Sequence, residues 1–143
     1  MTNHPLLGTW KLESFTMEYQ DTGETIEPYG ARPSGYLSYG ADRRMYAIIV
    51  GDGRRPPTGM VPTDAEMIAL FSGMGAYAGT YTIEGDEVHH LVDVSWIEAW
   101  TGATQVRRFR IEGDSLHIRS VAAPDPLDGR FSSSTIVWRK VPS

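Results

Sequence analysis

The sequence predicts an all-β protein: a closed antiparallel barrel of eight to ten strands with one short lid helix at about residues 63–74. We expect a single domain over residues 1–143. The first observation behind this is an Ile-Glu-Gly-Asp frame that occurs twice, at residues 83–90 and 111–118. Each copy joins two alternating apolar and polar runs through a turn, which is typical of a β-hairpin. The second is that strand-like runs fill most of the chain, and closing them into a barrel removes exposed sheet edges.

The composition is that of one folded domain, and it excludes several kinds of binding partner. The chain has 143 residues, of which 41% are hydrophobic and 22% charged, and its net charge is −5. Because the arginine pairs are isolated, we expect no nucleic-acid partner. The absence of cysteine excludes disulfides and thiolate metal sites. No apolar run is long enough to span a membrane, and residues 1–7 show no targeting pattern, so a cytoplasmic protein is expected. The sequence leaves open whether the protein forms a homodimer.

The N-terminal half is predicted to form one long strand and one hairpin. The long strand covers about residues 7–19, with Trp10 and Leu12 on one face and Phe15 on the other. Proline and glycine mark the loops on either side of the hairpin. The first loop covers residues 28–35 and the second covers residues 51–59. The two strands of the hairpin cover residues 36–39 and 45–50. The pattern does not decide which of the hairpin tyrosines (Tyr36, Tyr39 and Tyr46) face the interior.

The predicted helix has a clear beginning. Thr63 and Glu66 form a capping box, and Gly73 or Gly75 can end the helix. Its apolar residues follow helical spacing: Met67, Leu70, Phe71 and Met74. Of these, Met67, Phe71 and Met74 are candidate ligand contacts. Such a helix can act as a lid over one end of the barrel, or it can plug the barrel as fixed core.

The C-terminal half is predicted to be strands throughout. The predicted segments are residues 78–83, 87–94, 104–111, 115–121 and 134–141. Trp96 and Trp100 lie between two of them and therefore near a barrel mouth. They serve either as core packing or as an aromatic clamp on a ligand.

The two ends of the chain and several internal motifs resemble a known superfamily. The opening at residues 7–12 (Leu-Gly-Thr-Trp-Lys-Leu) and the ending at residues 137–140 (Val-Trp-Arg-Lys) resemble those of lipocalins and fatty-acid-binding proteins. In lipocalins a closing arginine packs on the opening tryptophan, which implies that Arg139 or Lys140 packs on Trp10 here.

A more specific resemblance is to the small bacterial and fungal lipocalin-like domain family. The motifs that carry it are Leu7–Trp10, Pro28–Gly30, Gly35–Tyr39, Gly79–Tyr81, His89–His90 and Gln105–Phe109. They occur in the family's order over almost the whole chain. The resemblance implies the barrel fold, whereas function has to be argued from the site.

Comparison of the two repeated frames singles out one histidine. His117 and His89 are predicted to face outward, whereas His90 faces inward between Val88 and Val92. An imidazole on an apolar face is either a core histidine satisfied by a hydrogen bond or a group that contacts a ligand. In the second case, burial keeps it neutral and able to exchange a proton near pH 7.

Arg107 is the second candidate. Gln105, Arg107 and Phe109 share the strand face that is predicted to be interior. A buried guanidinium has to be paired, either with a carboxylate such as Asp93 or Glu98 or with an anionic group of a ligand. Both His90 and Arg107 would then lie in one cavity.

These residues support two functions. The first is binding of a small, largely apolar or aromatic molecule that carries a polar or anionic group, with contacts from the tryptophans, the helix methionines and Tyr81. The alternative is a cofactor-independent isomerase, cyclase, lyase or dehydratase, with His90 as acid or base and Arg107 stabilising an anionic intermediate. A filled barrel that acts as an interaction module is the third option. No metal site is predicted, because His89 and His90 point in opposite directions, and no nucleotide or other cofactor motif is present.

Overall fold

The computed structural model describes residues 4–142 and confirms the predicted fold class. Eight long strands form a closed antiparallel barrel, with two short strands and one short helix added. The strands, in chain order, are β1 (Gly8–Tyr19), β2 (Thr25–Ile26), β3 (Ser34–Tyr39), β4 (Arg44–Val50), β5 (Met74–Glu84), β6 (Glu87–Ser95), β7 (Thr104–Glu112), β8 (Ser115–Ser120), β9 (Ala123–Pro124) and β10 (Phe131–Lys140). The helix α1 is Asp64–Ser72, and a 3₁₀ turn covers Glu98–Trp100. In the described part of the chain, no helix has the length and apolar character needed to cross a membrane.

The sheet follows the chain order and closes on itself. Neighbouring strands pair in the order β2-β1-β3-β4-β5-β6-β7-β8-β10-β9, and an additional pairing of β1 with β10 closes the barrel. The repeated Ile-Glu-Gly-Asp frames form the β5–β6 and β7–β8 hairpins, as predicted. Gly85 and Gly113 have φ values of 62° and 59°, which an L-residue with a side chain rarely adopts.

One end of the barrel is closed by side chains. Trp10 and Trp138 are almost completely buried there together with Leu6. The Trp10 indole donates a hydrogen bond to the Leu6 carbonyl, and the Lys140 ammonium lies 4.6 Å from the centre of the Trp10 ring. Of the two basic residues that the resemblance allowed, Lys140 therefore packs on Trp10. Arg139 points outward and pairs with Glu13 at 2.8 Å.

Strand β1 departs from simple alternation, so one predicted face was wrong. A register shift against β10 between Leu12 and Ser14 marks a β-bulge. Because a bulge adds one residue to the strand, the side chains beyond it change face. Phe15, predicted to face away from Trp10 and Leu12, is therefore buried with them in the core.

The helix begins as predicted but does not fill the barrel. Thr63 accepts from the Glu66 backbone N–H, Glu66 accepts from the Thr63 N–H, and Gly73 follows as the C-cap. None of the helix residues is buried. The expectation that α1 could plug the barrel as fixed core is therefore wrong.

Candidate functional site: a cavity at the open end of the barrel

A mostly apolar cavity of about 110 Å³, here called the inner chamber, lies inside the barrel beyond the closed end. Its apolar and aromatic lining includes Phe15, Tyr29, Leu37, Ile49, Trp96, Trp100, Ile118, Ile136 and Trp138. Four further lining residues carry polar groups into this surface: Tyr77, His90, Arg107 and Ser134. None of the described lining residues of the inner chamber is a carboxylate.

A wider cavity of about 380 Å³, the vestibule, adjoins the inner chamber. It extends past β7 to the segment that follows β8, at residues 121–127. The two cavities share six lining residues: Phe15, Tyr29, Trp96, Trp100, Arg107 and Ser134. Trp96, Trp100 and Arg107 are therefore among the residues at the passage between the vestibule and the chamber.

Arg107 holds a positive charge at this passage without an acidic partner. Its guanidinium donates to the Val106 carbonyl and to the Gln105 side-chain oxygen, both at 3.1 Å. Within residues 4–142 it forms no ion pair, so the pairing with Asp93 or Glu98 that the sequence left open is not formed. Two hydrogen bonds use only part of the five N–H donors of an arginine, which leaves donors for a ligand.

His90 is buried between two tyrosines. Its side chain is 2% exposed, with Nε2 at 2.6 Å from the Tyr39 hydroxyl and Nδ1 at 2.7 Å from the Tyr77 hydroxyl. Burial, assisted by the nearby positive charge of Arg107, lowers the pKa of His90 from 6.5 to about 3. The imidazole is therefore neutral at physiological pH.

The two tyrosines differ in their access to the cavity. Tyr39 is buried at 1% exposure and does not line the chamber, whereas Tyr77 does. Burial raises the pKa of both hydroxyls above their usual value of 10.0, more strongly for Tyr39. Both are thus neutral hydroxyls near pH 7.

The sequence favoured a different tyrosine, Tyr81, as the ligand contact. Tyr81 donates to the Gly40 carbonyl at 2.6 Å and packs edge-on against Tyr39 at 4.9 Å, and it lines neither cavity. Sequence reasoning preferred Tyr81 over Tyr77 because Tyr81 shares a face with Ile83, and it began β5 at residue 78, after Tyr77. Tyr77 has the same strand face as Tyr81, four residues away, and that spacing could have found it.

The two mouth tryptophans are brought together, as the clamp interpretation requires. Trp96 and Trp100 pack edge to face with ring centres 5.4 Å apart, and Trp100 packs in the same way on Tyr77 at 5.7 Å. Phe71 of α1 supports this group from outside: its ring lies 5.9 Å from Trp96, whose indole donates to the Phe71 carbonyl. The helix thus positions the mouth without lining the chamber.

The other predicted ligand contacts are scattered. Gln105 lines the vestibule beside Arg107. Phe109 packs on His4 with ring centres 5.9 Å apart, and Met67 is exposed to solvent on α1. Met74 is half-buried at the start of β5. None of Phe109, Met67 and Met74 lines the chamber or the vestibule, so a ligand-binding role for these three stays a prediction.

A closed antiparallel barrel with one plugged end, one open end and an internal cavity defines the lipocalin-like class of protein. The match to a family model described as a lipocalin-like domain covers residues 7–141, and the chain belongs to that family.

The chain is similar to two known proteins. A curated relative from Aspergillus oryzae, the "4'-hydroxy-3'-methoxypropiophenone carrier protein ppsC", is 32% identical over 88 residues, which cover 56% of this chain and 78% of the relative. The crystal structure of an uncharacterized protein from Bacteroides eggerthii aligns over 95% of this chain and 99% of its own. Its TM-score is 0.45 and its identity 13%, which are too low to transfer a function.

Proposed function

We propose that this protein binds and carries one small aromatic molecule that bears an anionic or strongly polarised oxygen. The ring enters the inner chamber between the mouth tryptophans, and the oxygen meets Arg107 at the passage to the vestibule. The observation that carries the proposal is the Arg107 guanidinium, which lines an apolar cavity and forms no ion pair within residues 4–142. A partly desolvated charge in that position gains from an anionic partner that the described chain does not supply.

The size and lining of the cavity support the same class of ligand. An apolar cavity of about 150 Å³ accommodates benzene in an engineered protein, and the inner chamber, at about 110 Å³, has a comparable size and adjoins the larger vestibule. Pockets of this kind use an apolar surface for affinity and a few polar groups for orientation. A single aromatic ring in the chamber with a polar substituent in the passage fits both parts.

The relative named as a carrier supports this class of ligand. The compound in its name is an aromatic ketone with a phenolic hydroxyl para to the carbonyl, and conjugation with the carbonyl makes such a phenol more acidic than phenol itself. We propose that an aryl ketone, phenolate or aromatic carboxylate of similar size is the ligand of the present protein.

The surroundings of His90 favour binding over the catalytic alternative. Both ring nitrogens are already engaged by tyrosine hydroxyls, and the pKa of about 3 makes the imidazole a weak base. An acid–base catalyst needs a free nitrogen within hydrogen-bond reach of the substrate and a pKa near the working pH. A binding protein needs neither.

The test compares two neighbouring arginines. Arg107→Gln is expected to weaken binding of benzoate about 10- to 100-fold, because a charge-assisted hydrogen bond contributes about 1.5–3 kcal/mol. Binding of benzamide, which has the same shape without the charge, should change by less than about threefold. Isothermal titration calorimetry measures both affinities.

Arg108→Gln is the matched control. Arg108 lies on the opposite strand face, with its side chain 66% exposed and 3.6 Å from Asp86. Its replacement should leave both affinities unchanged. Equal effects of the two substitutions on benzoate, or no effect of Arg107→Gln, would contradict the proposed role of Arg107.

A further inference from the structure

The Tyr39–His90–Tyr77 chain of hydrogen bonds has a direction that matters for the ligand. A neutral imidazole has one N–H donor and one acceptor nitrogen. His90 therefore donates to one tyrosine oxygen and accepts from the hydroxyl of the other. Two arrangements satisfy the distances of 2.6 Å to Tyr39 and 2.7 Å to Tyr77.

In the first arrangement the proton is on Nε2. His90 would then donate to Tyr39, and Tyr77 would donate to Nδ1. The hydroxyl hydrogen of Tyr39 would have no acceptor, because within residues 4–142 its hydroxyl contacts no other polar partner and the residue is 1% exposed. A buried donor without a partner costs about 1–3 kcal/mol.

In the second arrangement the proton is on Nδ1. Tyr39 then donates to Nε2, and Nδ1–H donates to the Tyr77 oxygen. The hydrogen that is left over belongs to the hydroxyl of Tyr77, which lines the inner chamber where a ligand can accept it. In this arrangement the fully buried Tyr39 hydroxyl has an acceptor, and the only tyrosine hydrogen left over is the one that faces the chamber, so this arrangement has the lower free energy.

We propose that Tyr77 is a specificity-determining hydrogen-bond donor to a carbonyl or phenolate oxygen of the ligand, and that Tyr39 and His90 are positioning residues that fix its direction. The proposal rests on the proposed function and adds to it the ligand group that the chamber selects. The hydrogen bond from His90 to the Tyr77 oxygen polarises the Tyr77 hydroxyl and strengthens it as a donor.

The rest of the chamber agrees with an acceptor on the ligand. Arg107 offers further N–H groups, and no carboxylate lines the chamber within residues 4–142. The chamber thus offers hydrogen-bond donors to a ligand, which favours an oxygen acceptor over an amine or an alkane.

The first experiment uses two neutral probes of one skeleton, propiophenone and n-propylbenzene, which differ by a carbonyl oxygen. Tyr77→Phe is expected to weaken propiophenone about 3- to 10-fold and to leave n-propylbenzene unchanged. Tyr81→Phe is the matched control, since its hydroxyl binds the Gly40 carbonyl and lines neither cavity. It should not change the ratio of the two affinities.

The outcomes separate this inference from the proposed function. If both probes bind and Tyr77→Phe leaves their ratio unchanged, the role of Tyr77 is wrong while the binding function stands. If neither probe binds the wild-type protein, this inference is overturned, whereas the proposed function is overturned only if benzoate does not bind either.

The second experiment tests the positioning role of His90 and needs no ligand. Nitrogen-15 NMR of the histidine side chains distinguishes the two neutral tautomers, and we expect His90 to carry its proton on Nδ1. A proton on Nε2 would reverse the chain, make Tyr77 a donor to His90, and overturn the inference. This measurement needs only the folded wild-type protein.

Discussion

Between pH 7 and pH 4 the protein is expected to lose about 3 kcal/mol of its free energy of unfolding through His90 alone. In the unfolded chain His90 binds a proton as the pH falls through its ordinary value of 6.5, whereas in the folded protein it binds one only near pH 3. Within this window the unfolded state holds more protons, so acid favours unfolding. The stability is fully present above pH 6.5 and falls steadily towards pH 3.

Urea unfolding at several pH values measures this loss. A His90→Gln variant should lose about 3 kcal/mol less than the wild type between pH 7 and pH 4, whatever its stability at pH 7. The His117→Gln variant, altered on the outward face of β8, should retain the wild-type loss. If the His90 variant does not fold, an NMR titration of the wild-type protein replaces it. The His90 ring signals should then stay constant from pH 7 to pH 4, and a titration midpoint near pH 6 would contradict the account.

Trp10→Ala is expected to lower the free energy of unfolding by about 3–5 kcal/mol, the usual cost of removing a large core aromatic residue. Trp10 is 1% exposed, closes the end of the barrel where β1 meets β10, and donates to the Leu6 carbonyl. Removing the indole leaves a cavity and an unpartnered carbonyl, and it takes away the ring on which Lys140 packs.

Denaturant unfolding followed by circular dichroism measures this change. Trp100→Ala is the control: that indole is half-buried at the opposite, open end, and its loss should cost less than half as much. Trp10→Phe retains a ring and should lie between Trp10→Ala and the wild type. A Trp10→Ala protein as stable as Trp100→Ala would show that the closed end does not hold the barrel together.

Much of the fold could be predicted because local patterns report it directly. The repeated turn between Ile83 and Val88 predicts its hairpin from alternation and one glycine, and Thr63 with Glu66 predicts the start of the helix. Phe15 could not be placed correctly, since a β-bulge is a property of the pairing with β10 and changes every face after it.

The candidate site was predictable only in part. Alternation alone gave His90 and Arg107 an inward direction, and both line the chamber. The partners of His90 come from β3 and β5, far apart in the sequence, so no local pattern pairs Tyr39 with Tyr77. Phe71 follows the helical apolar spacing as predicted, yet it supports Trp96 from outside, because the position of α1 relative to the barrel is set by tertiary packing.

The central claim is that one small aromatic molecule occupies the inner chamber. Ala47 lines the chamber, so Ala47→Leu would fill the chamber with a larger side chain. Ala78→Leu is the matched control, because it makes the same change on the neighbouring strand β5 at a residue that does not line the chamber. Native mass spectrometry with 4'-hydroxy-3'-methoxypropiophenone should show one bound molecule on the wild type and on Ala78→Leu, and none on Ala47→Leu with the fold intact by circular dichroism. Equal binding to both variants, or none to the wild type, would contradict the account.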